Sequence, residues 1–238
     1  MTDIQSLSIS PTYPESDGLP MTESDVTRDT LIYCIEALKR HFESRRNVYV
    51  SGNLFLYYEE GNPKAVISPD VFVIFGVANR KRRSYETWQE GGKLPSFILE
   101  ITSMTTRTND EVSKPSLYES LGVQEYFQYD PTADYLKSQI KGSRLVDSAY
   151  QPLPLQTNSE GMAYLHSSVL GLDLQLQIPR QLVPAPTSLV KELRFFDPQT
   201  GLVLPSRQEL EYERDMALQR ADLLAQKLRD LGLDPDQL

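Results

Sequence analysis

In Ser68-Pro69-Asp70-Val71-Phe72-Val73-Ile74-Phe75 a carboxylate stands at the head of an apolar run, and in Phe97-Ile98-Leu99-Glu100-Ile101 a second carboxylate stands inside another. Runs rich in β-branched and aromatic residues predict strands. Ionised carboxylates are rare inside such strands unless something compensates their desolvation. Lys114 follows on the next predicted helix, so three charges from three successive elements are placed to converge on one point.

Outward from these runs the elements fall in a clear order. Upstream, Leu31, Cys34, Ile35, Leu38 and Phe42 recur at three- and four-residue spacing within residues 24–46, which predicts an amphipathic helix with one buried stripe. Thr22, Ser24 and Asp25 offer its N-caps. Residues 48–58 and 65–75, separated by Glu60-Gly61-Asn62-Pro63, read as a hairpin. A polar stretch with Trp88 and Gly91-Gly92 then leads to the strand that holds Glu100. A short helix follows, ending at Leu121-Gly122, where glycine suits the cap. Pro115 requires either that this helix begin near Ser113, with Lys114 at its start, or that the segment bend there.

A strand over residues 125–129 stops at Asp130-Pro131, and the crossover through the helix sets it parallel to its predecessor. Further strands are expected at 135–140, 162–165 and 172–178, widening the sheet. The expected fold class is α+β: a mixed β-sheet with flanking helices, in the core order helix-strand-strand-strand-helix-strand, plus a C-terminal helix. The expected organisation is a flexible N-terminal tail over residues 1–20, a domain over 21–180, a connector with short strands over 181–205, and an amphipathic helix or coiled coil over 206–238. Ser206-Arg207-Gln208-Glu209 fits a capping box for that last helix. Its seam of Leu210, Arg214, Ala217, Ala221, Leu224, Leu228 and Leu231 leaves docking on the domain and pairing of two copies both open.

Composition narrows the function classes. An apolar fraction of 39% over 238 residues suits a globular chain with a sizeable core. With no secretory apolar segment before the first helix and no run long enough for a membrane span, the expected location is the cytoplasm, with no membrane partner. Cys34 is the sole cysteine, which excludes an intramolecular disulfide and a cysteine zinc cluster and reads as a core residue. His41 and His166 lie far apart, against a histidine-rich metal site or a His-based triad. The net charge of −9 opposes general steering toward phosphate, although Lys39-Arg40, Arg45-Arg46 and Arg80-Lys81-Arg82-Arg83 concentrate positive charge. Those runs read first as solvated surface and second as the lining of a groove.

Four motifs, in order and spacing, resemble the Uma2 family: Ser68-Pro69-Asp70-Val71-Phe72-Val73; Phe97-Ile98-Leu99-Glu100-Ile101-Thr102-Ser103; the set Asp110, Lys114 and Tyr118; and Gly122-Val123-Gln124-Glu125-Tyr126-Phe127-Gln128-Tyr129-Asp130-Pro131. The likeness runs over residues 25–180. It implies a restriction-endonuclease-like core of the PD-(D/E)XK nuclease superfamily, with Asp70 and Glu100 as metal ligands, the backbone carbonyl of Ile101 as a third oxygen, and Mg²⁺ (or Mn²⁺) as cofactor. Thr102 stands where that superfamily carries its lysine, and in this family a lysine on the following helix takes over, here Lys114.

Chemistry is consistent with that implication. A hard divalent ion prefers oxygen ligands and keeps several waters, so two carboxylates suffice to hold it. A bound ion activates water and neutralises charge on phosphate, and a lysine stabilises what remains. Taken singly, Asp70 after Pro69 reads as the end of a turn and Glu100 as the partner of a surface arginine. Together with Lys114 they read as a catalytic set, Asp70, Glu100 and Lys114. Tyr118, Tyr126 and Phe127 read as core rather than base-stacking residues. Two functions are therefore expected: a metal-dependent DNA endonuclease acting as a homodimer, or an inactive nuclease fold serving as an interaction or nucleic-acid-binding module.

Overall fold

The structure, a computed structural model, describes residues 12–14, 24–103, 113–179, 190–231 and 234. Helix α1 (Asp25–His41) opens where Ser24 Oγ accepts the Thr27 amide at 3.2 Å, with Asp25 in its first turn and Lys39, Arg40 and His41 in its last, each end matched to the helix dipole. Then come β1 (Val48–Ser51), β2 (Leu56–Tyr57), β3 (Val66–Ile67), β4 (Val71–Phe75) and β5 (Tyr85–Glu86), a 3-10 turn (Thr87–Glu90), β6 (Phe97–Ile101), helix α2 (Lys114–Ser120) and β7 (Glu125–Tyr129). They are followed by β8 (Ile140–Val146), β9 (Ala149–Pro152), β10 (Gln156–Thr157), β11 (Ala163–Ser167), β12 (Leu172–Gln177), β13 (Glu192–Asp197), β14 (Leu202–Val203) and α3 (Arg207–Asp230).

The strands make three sheets, and the six-stranded one, ordered β1-β4-β6-β7-β8-β9, carries the fold. It is mixed: β6 and β7 run parallel through the α2 crossover, and its other neighbours are antiparallel. Alternation along the strands sends Phe72, Ile74, Ile98 and Tyr126 to one face, where they pack with Tyr118 of α2 and with Leu56 and Tyr85. Val71, Val73, Phe97, Leu99 and Phe127 point the other way, toward the side where α1 buries Cys34, Ala37 and Leu38. Burial on both faces explains why β4 and β6 read as unbroken apolar runs.

Three expectations need correction. The hairpin over 48–75 is split: β1 pairs with β4 in the large sheet, whereas β2 pairs with β3 and, in parallel, with β5 in a three-stranded sheet. The later strands do not all widen the first sheet, because β10 to β14 form a separate five-stranded one. Residues 135–139 are no strand. Asp130 gathers them into a turn, its Oδ2 accepting the amides of Tyr135 and Leu136 at 3.0 Å and its Oδ1 that of Thr132 at 3.1 Å, and Gln139 adopts a φ of +57° before β8 begins. Burial opposes the Asp130 charge, but these hydrogen bonds win and hold its carboxyl below the usual range.

The second sheet is tied to the first by Glu125. Fully buried at the start of β7, it pairs with Arg144 at 2.8 Å and accepts the Ser168 amide at 3.0 Å and the Ser167 hydroxyl. Its motif thus acquires a structural role that its sequence position did not disclose. The chain divides into two compact units at Val203 and Leu204. In the second, α3 carries the predicted capping box at Ser206 and Glu209, and none of its residues is buried.

Candidate metal centre

Asp70 immediately precedes β4, and Glu100 lies one residue from the end of β6. Val71 pairs with Leu99, so continuing the antiparallel register by one step sets Asp70 beside Glu100 on the face covered by α2. The loop after β1 presses on the same point: Asn53 donates its amide to the Pro69 carbonyl at 2.9 Å, and a Cβ on Gly52 would lie 1.9 Å from the Asp70 carbonyl oxygen. No residue larger than glycine fits there without moving backbone.

Each carboxylate is held in place. The Ile101 amide donates to Asp70 Oδ2 at 2.8 Å, and the Asp70 amide reaches Glu100 Oε2 at 3.4 Å. Helix α2 begins at Lys114 with Pro115 in its first turn, where proline is tolerated. Lys114 Nζ stands 3.0 Å from Glu100 Oε2. One turn on, Tyr118 donates its hydroxyl to Glu100 Oε1 at 2.6 Å. The four-residue spacing of Lys114 and Tyr118 puts both on the helix face that meets the sheet. Asp110, the third member of that set, lies outside the described residues.

Electrostatics mark this pair as unusual. Glu100 is fully buried, and Asp70, half-buried, has its carboxyl pushed well above the ordinary range by desolvation, by the neighbouring Glu100 charge and by a side-chain hydrogen bond between the two acids. The Lys114 charge and the Ile101 amide pull the other way and do not prevail. Burial and the Glu100 charge also push the Tyr118 hydroxyl up, so it stays a donor. Two carboxyls in contact call for a shared proton or a cation. Their hard oxygen donors match a divalent ion such as Mg²⁺, although among the described residues no group of three or more His, Cys, Asp or Glu side chains gathers. Ile101 is brought to the same place by the hydrogen bond that its amide donates to Asp70 Oδ2.

Thr102, two residues after Glu100, is buried, and its hydroxyl bonds that of Tyr135. Tyr118, read from the sequence as a core residue, is one at 1% exposure, and it also donates to Glu100; only its helical spacing from Lys114 hinted at that. Glu100 pairs with Lys114 rather than with a surface arginine. The 80–83 basic run is not simply solvated surface: Arg82 has a side chain only 3% exposed, bonds Glu90 at 2.9 Å and lies 4.2 Å over the Tyr49 ring.

The profile of the Uma2 family, described as "Putative restriction endonuclease", matches residues 19–179. The chain belongs to the Uma2 family. That match takes in Asp70, Glu100, Lys114 and Tyr118. A crystal structure of "a putative nuclease belonging to DUF820" from Anabaena variabilis is similar at 14% identity and a TM-score of 0.38, over 59% of this chain and 75% of that one. No curated protein matches this Uma2 chain significantly.

Proposed function

We propose that this Uma2 protein is a metal-dependent DNA endonuclease, in which Asp70 and Glu100, with the Ile101 carbonyl, hold Mg²⁺ or Mn²⁺ and Lys114 acts on the phosphate. The observation that carries the reading is the contact of half-buried Asp70 with fully buried Glu100, with the Lys114 ammonium 3.0 Å from Glu100. A bound divalent ion supplies an activated water and a counter-charge for the phosphate oxygens. The protein's part is placement: Tyr118 and Lys114 fix the Glu100 carboxylate, and the Ile101 amide fixes that of Asp70. Lys114, its side chain 31% exposed, is open to solvent on one side and can stabilise charge on a non-bridging oxygen as the ester bond breaks.

A DNA substrate goes with a cytoplasmic location. It also goes with a two-fold dimer in which each subunit addresses one strand. The apolar seam of α3, where Leu224 and Leu231 are exposed, supports such pairing. No helix among the described residues is long and apolar enough to cross a membrane.

The test is cleavage of duplex DNA in Mg²⁺ or Mn²⁺ together with calorimetric titration of the ion. Asp70→Asn and Glu100→Gln, which remove a ligand charge and keep shape, are expected to abolish cutting and weaken ion binding while leaving the circular dichroism spectrum unchanged. Lys114→Ala should slow cleavage more than it weakens DNA binding. Wild-type protein that binds DNA but cuts none in either ion would leave the fold as a binding module.

A further inference from the structure

Basic segments that are far apart in sequence meet at the end of the large sheet away from the acids. Val48 of β1 stands beside Phe75 of β4, and past that pair the Gly76 amide donates to the Asn47 carbonyl at 2.8 Å and the Asn79 amide to the Arg46 carbonyl at 3.1 Å. These bonds lay the loop that carries Lys81 against the turn that carries Arg45 and Arg46. Asn79 also lines a cleft of about 320 Å³ with Lys39, Arg40 and Glu43, around the C-terminal end of α1. A further segment reaches the same place: Lys93 Nζ lies 3.9 Å from where a Cβ on Gly76 would stand.

Folding accounts for part of this charge. Lys39 and Arg40 match the negative end of the α1 dipole, and Arg45 lies over the rings of Phe42 and Phe75, 5.4 and 5.3 Å from their centres. Arg80 and Arg82 both engage Glu90, at 2.6 and 2.9 Å. None of these reasons reaches Arg46, Lys81 or Lys93. All three are exposed, and among the described residues their side chains make no ion pair or hydrogen bond. Gathering like charges costs self-repulsion, and in a chain of net charge −9 a positive surface is the exception.

The surroundings select the partner. Nearby rings lie beneath the cations: Phe42 is buried, Arg45 covers Phe75, and Arg82 lies 4.2 Å over the Tyr49 ring. A surface of cations with its rings covered suits the phosphates of a duplex better than the stacked bases of a single strand. No large apolar side chain of these segments is exposed to enter a bilayer, which disfavours a membrane. The run from Asp70 to Phe75 spans about 17 Å, beyond the screening length of about 8 Å at physiological salt, so the acids of the candidate centre do not cancel this surface.

We propose that Arg46, Lys81 and Lys93, with Lys39 beside them, form a docking surface for the phosphate backbone of duplex DNA, one that holds DNA without reading its sequence and without a metal ion. The choice of DNA rests on the nuclease reading above; the surface itself does not. It supplies attraction to phosphate in a protein whose net charge and candidate metal centre both oppose it.

The experiment measures fluorescence anisotropy of a labelled duplex of arbitrary sequence with the full chain in EDTA across a salt series, and steady-state cleavage in Mg²⁺. Arg46→Gln, Lys81→Gln and Lys93→Gln combined are expected to weaken binding about tenfold, to lower the slope of log affinity against log salt by about 2 to 3, and to raise KM with kcat unchanged. Arg46→Lys, Lys81→Arg and Lys93→Arg combined should restore affinity and slope. Lys64→Gln, Lys137→Gln and Lys227→Gln combined make the same change in net charge at exposed positions elsewhere and should leave the slope as in wild type. If the first triple variant binds as wild type does, or if the control weakens binding equally, the surface is overturned, and cleavage by wild type leaves the nuclease reading standing. Failure of the charge-conserving variant to restore binding overturns it likewise, as does wild-type protein that binds vesicles of anionic lipid but no duplex in EDTA. Binding through this surface by a wild type that cuts nothing in Mg²⁺ or Mn²⁺ would uphold the surface and sink the nuclease reading.

Discussion

Asp70 is placed where its own charge is unwelcome, beside Glu100 and half out of water, and its carboxyl titrates above the ordinary range for that reason. The consequence for stability has a definite sign. A carboxyl whose folded value is raised contributes stability that is fully present below its unfolded value, about 3.9, and is lost as pH rises through the folded value. In EDTA, the urea midpoint of the wild type should therefore fall as pH rises from about 4, and Asp70→Asn should flatten that fall. On the proposed metal-dependent reading a divalent ion would take the place of the proton, so its binding near the folded value should release protons. Calorimetry in buffers of different ionisation enthalpy reads that release directly. Tyr118→Phe tests the neighbouring contact: it strips the buried Glu100 Oε1 of its donor, and a loss of about 1–3 kcal/mol in urea unfolding is expected, with cleavage reduced.

Among the elements, the β1 to β4 pairing sets the site as much as any charged group does. Gly52 lies against the Asp70 carbonyl and the Ile35 Cδ1 atom, the latter 2.7 Å from where its Cβ would be. Gly52→Ala must push backbone apart, and a cost of about 1–3 kcal/mol in denaturant unfolding is expected, together with impaired ion binding because Asp70 is displaced. Helix α2 has a comparable role. Its seven residues from Lys114 to Ser120 are too few for independent stability, so the helix depends on burying Tyr118 against the sheet and ends at Gly122 with φ +75°. The ammonium and the phenol that it presents to Glu100 are therefore placed by core packing.

For the whole molecule, the division at Val203 and Leu204 leaves a first unit holding the candidate site and a second built on α3. Leu210, Ala217, Leu224 and Leu231 recur at seven-residue intervals, the repeat of a paired helix, with Arg214 as a weak point in the seam. Truncation after Pro205 is expected to halve the mass measured by light scattering and to leave ion binding at Asp70 and Glu100 intact. An unchanged mass would show that α3 does not join the subunits. Tyr13, from the upstream stretch, packs 5.0 Å from both Tyr57 and Trp88, a contact that the polar composition around it gave no reason to expect.

The amino-acid order alone determined the strands of Asp70 and Glu100, the helix that follows β6, the parallel step through it and the capping box of α3, because periodicity, proline and cap residues act over a few positions. It also singled out the three charges, since carboxylates in apolar runs are conspicuous wherever they point. Tertiary structure decided the rest. Which sheet β10 to β14 join depends on contacts such as Glu125 with the Ser168 amide, distant in sequence. Whether Arg82 meets water or Tyr49 depends on the packing of a loop against a strand. The donor on Glu100 comes from the packing of α2 over the sheet, and the meeting of Asp70 with Glu100 arises from register, a relation between strands that no single strand encodes.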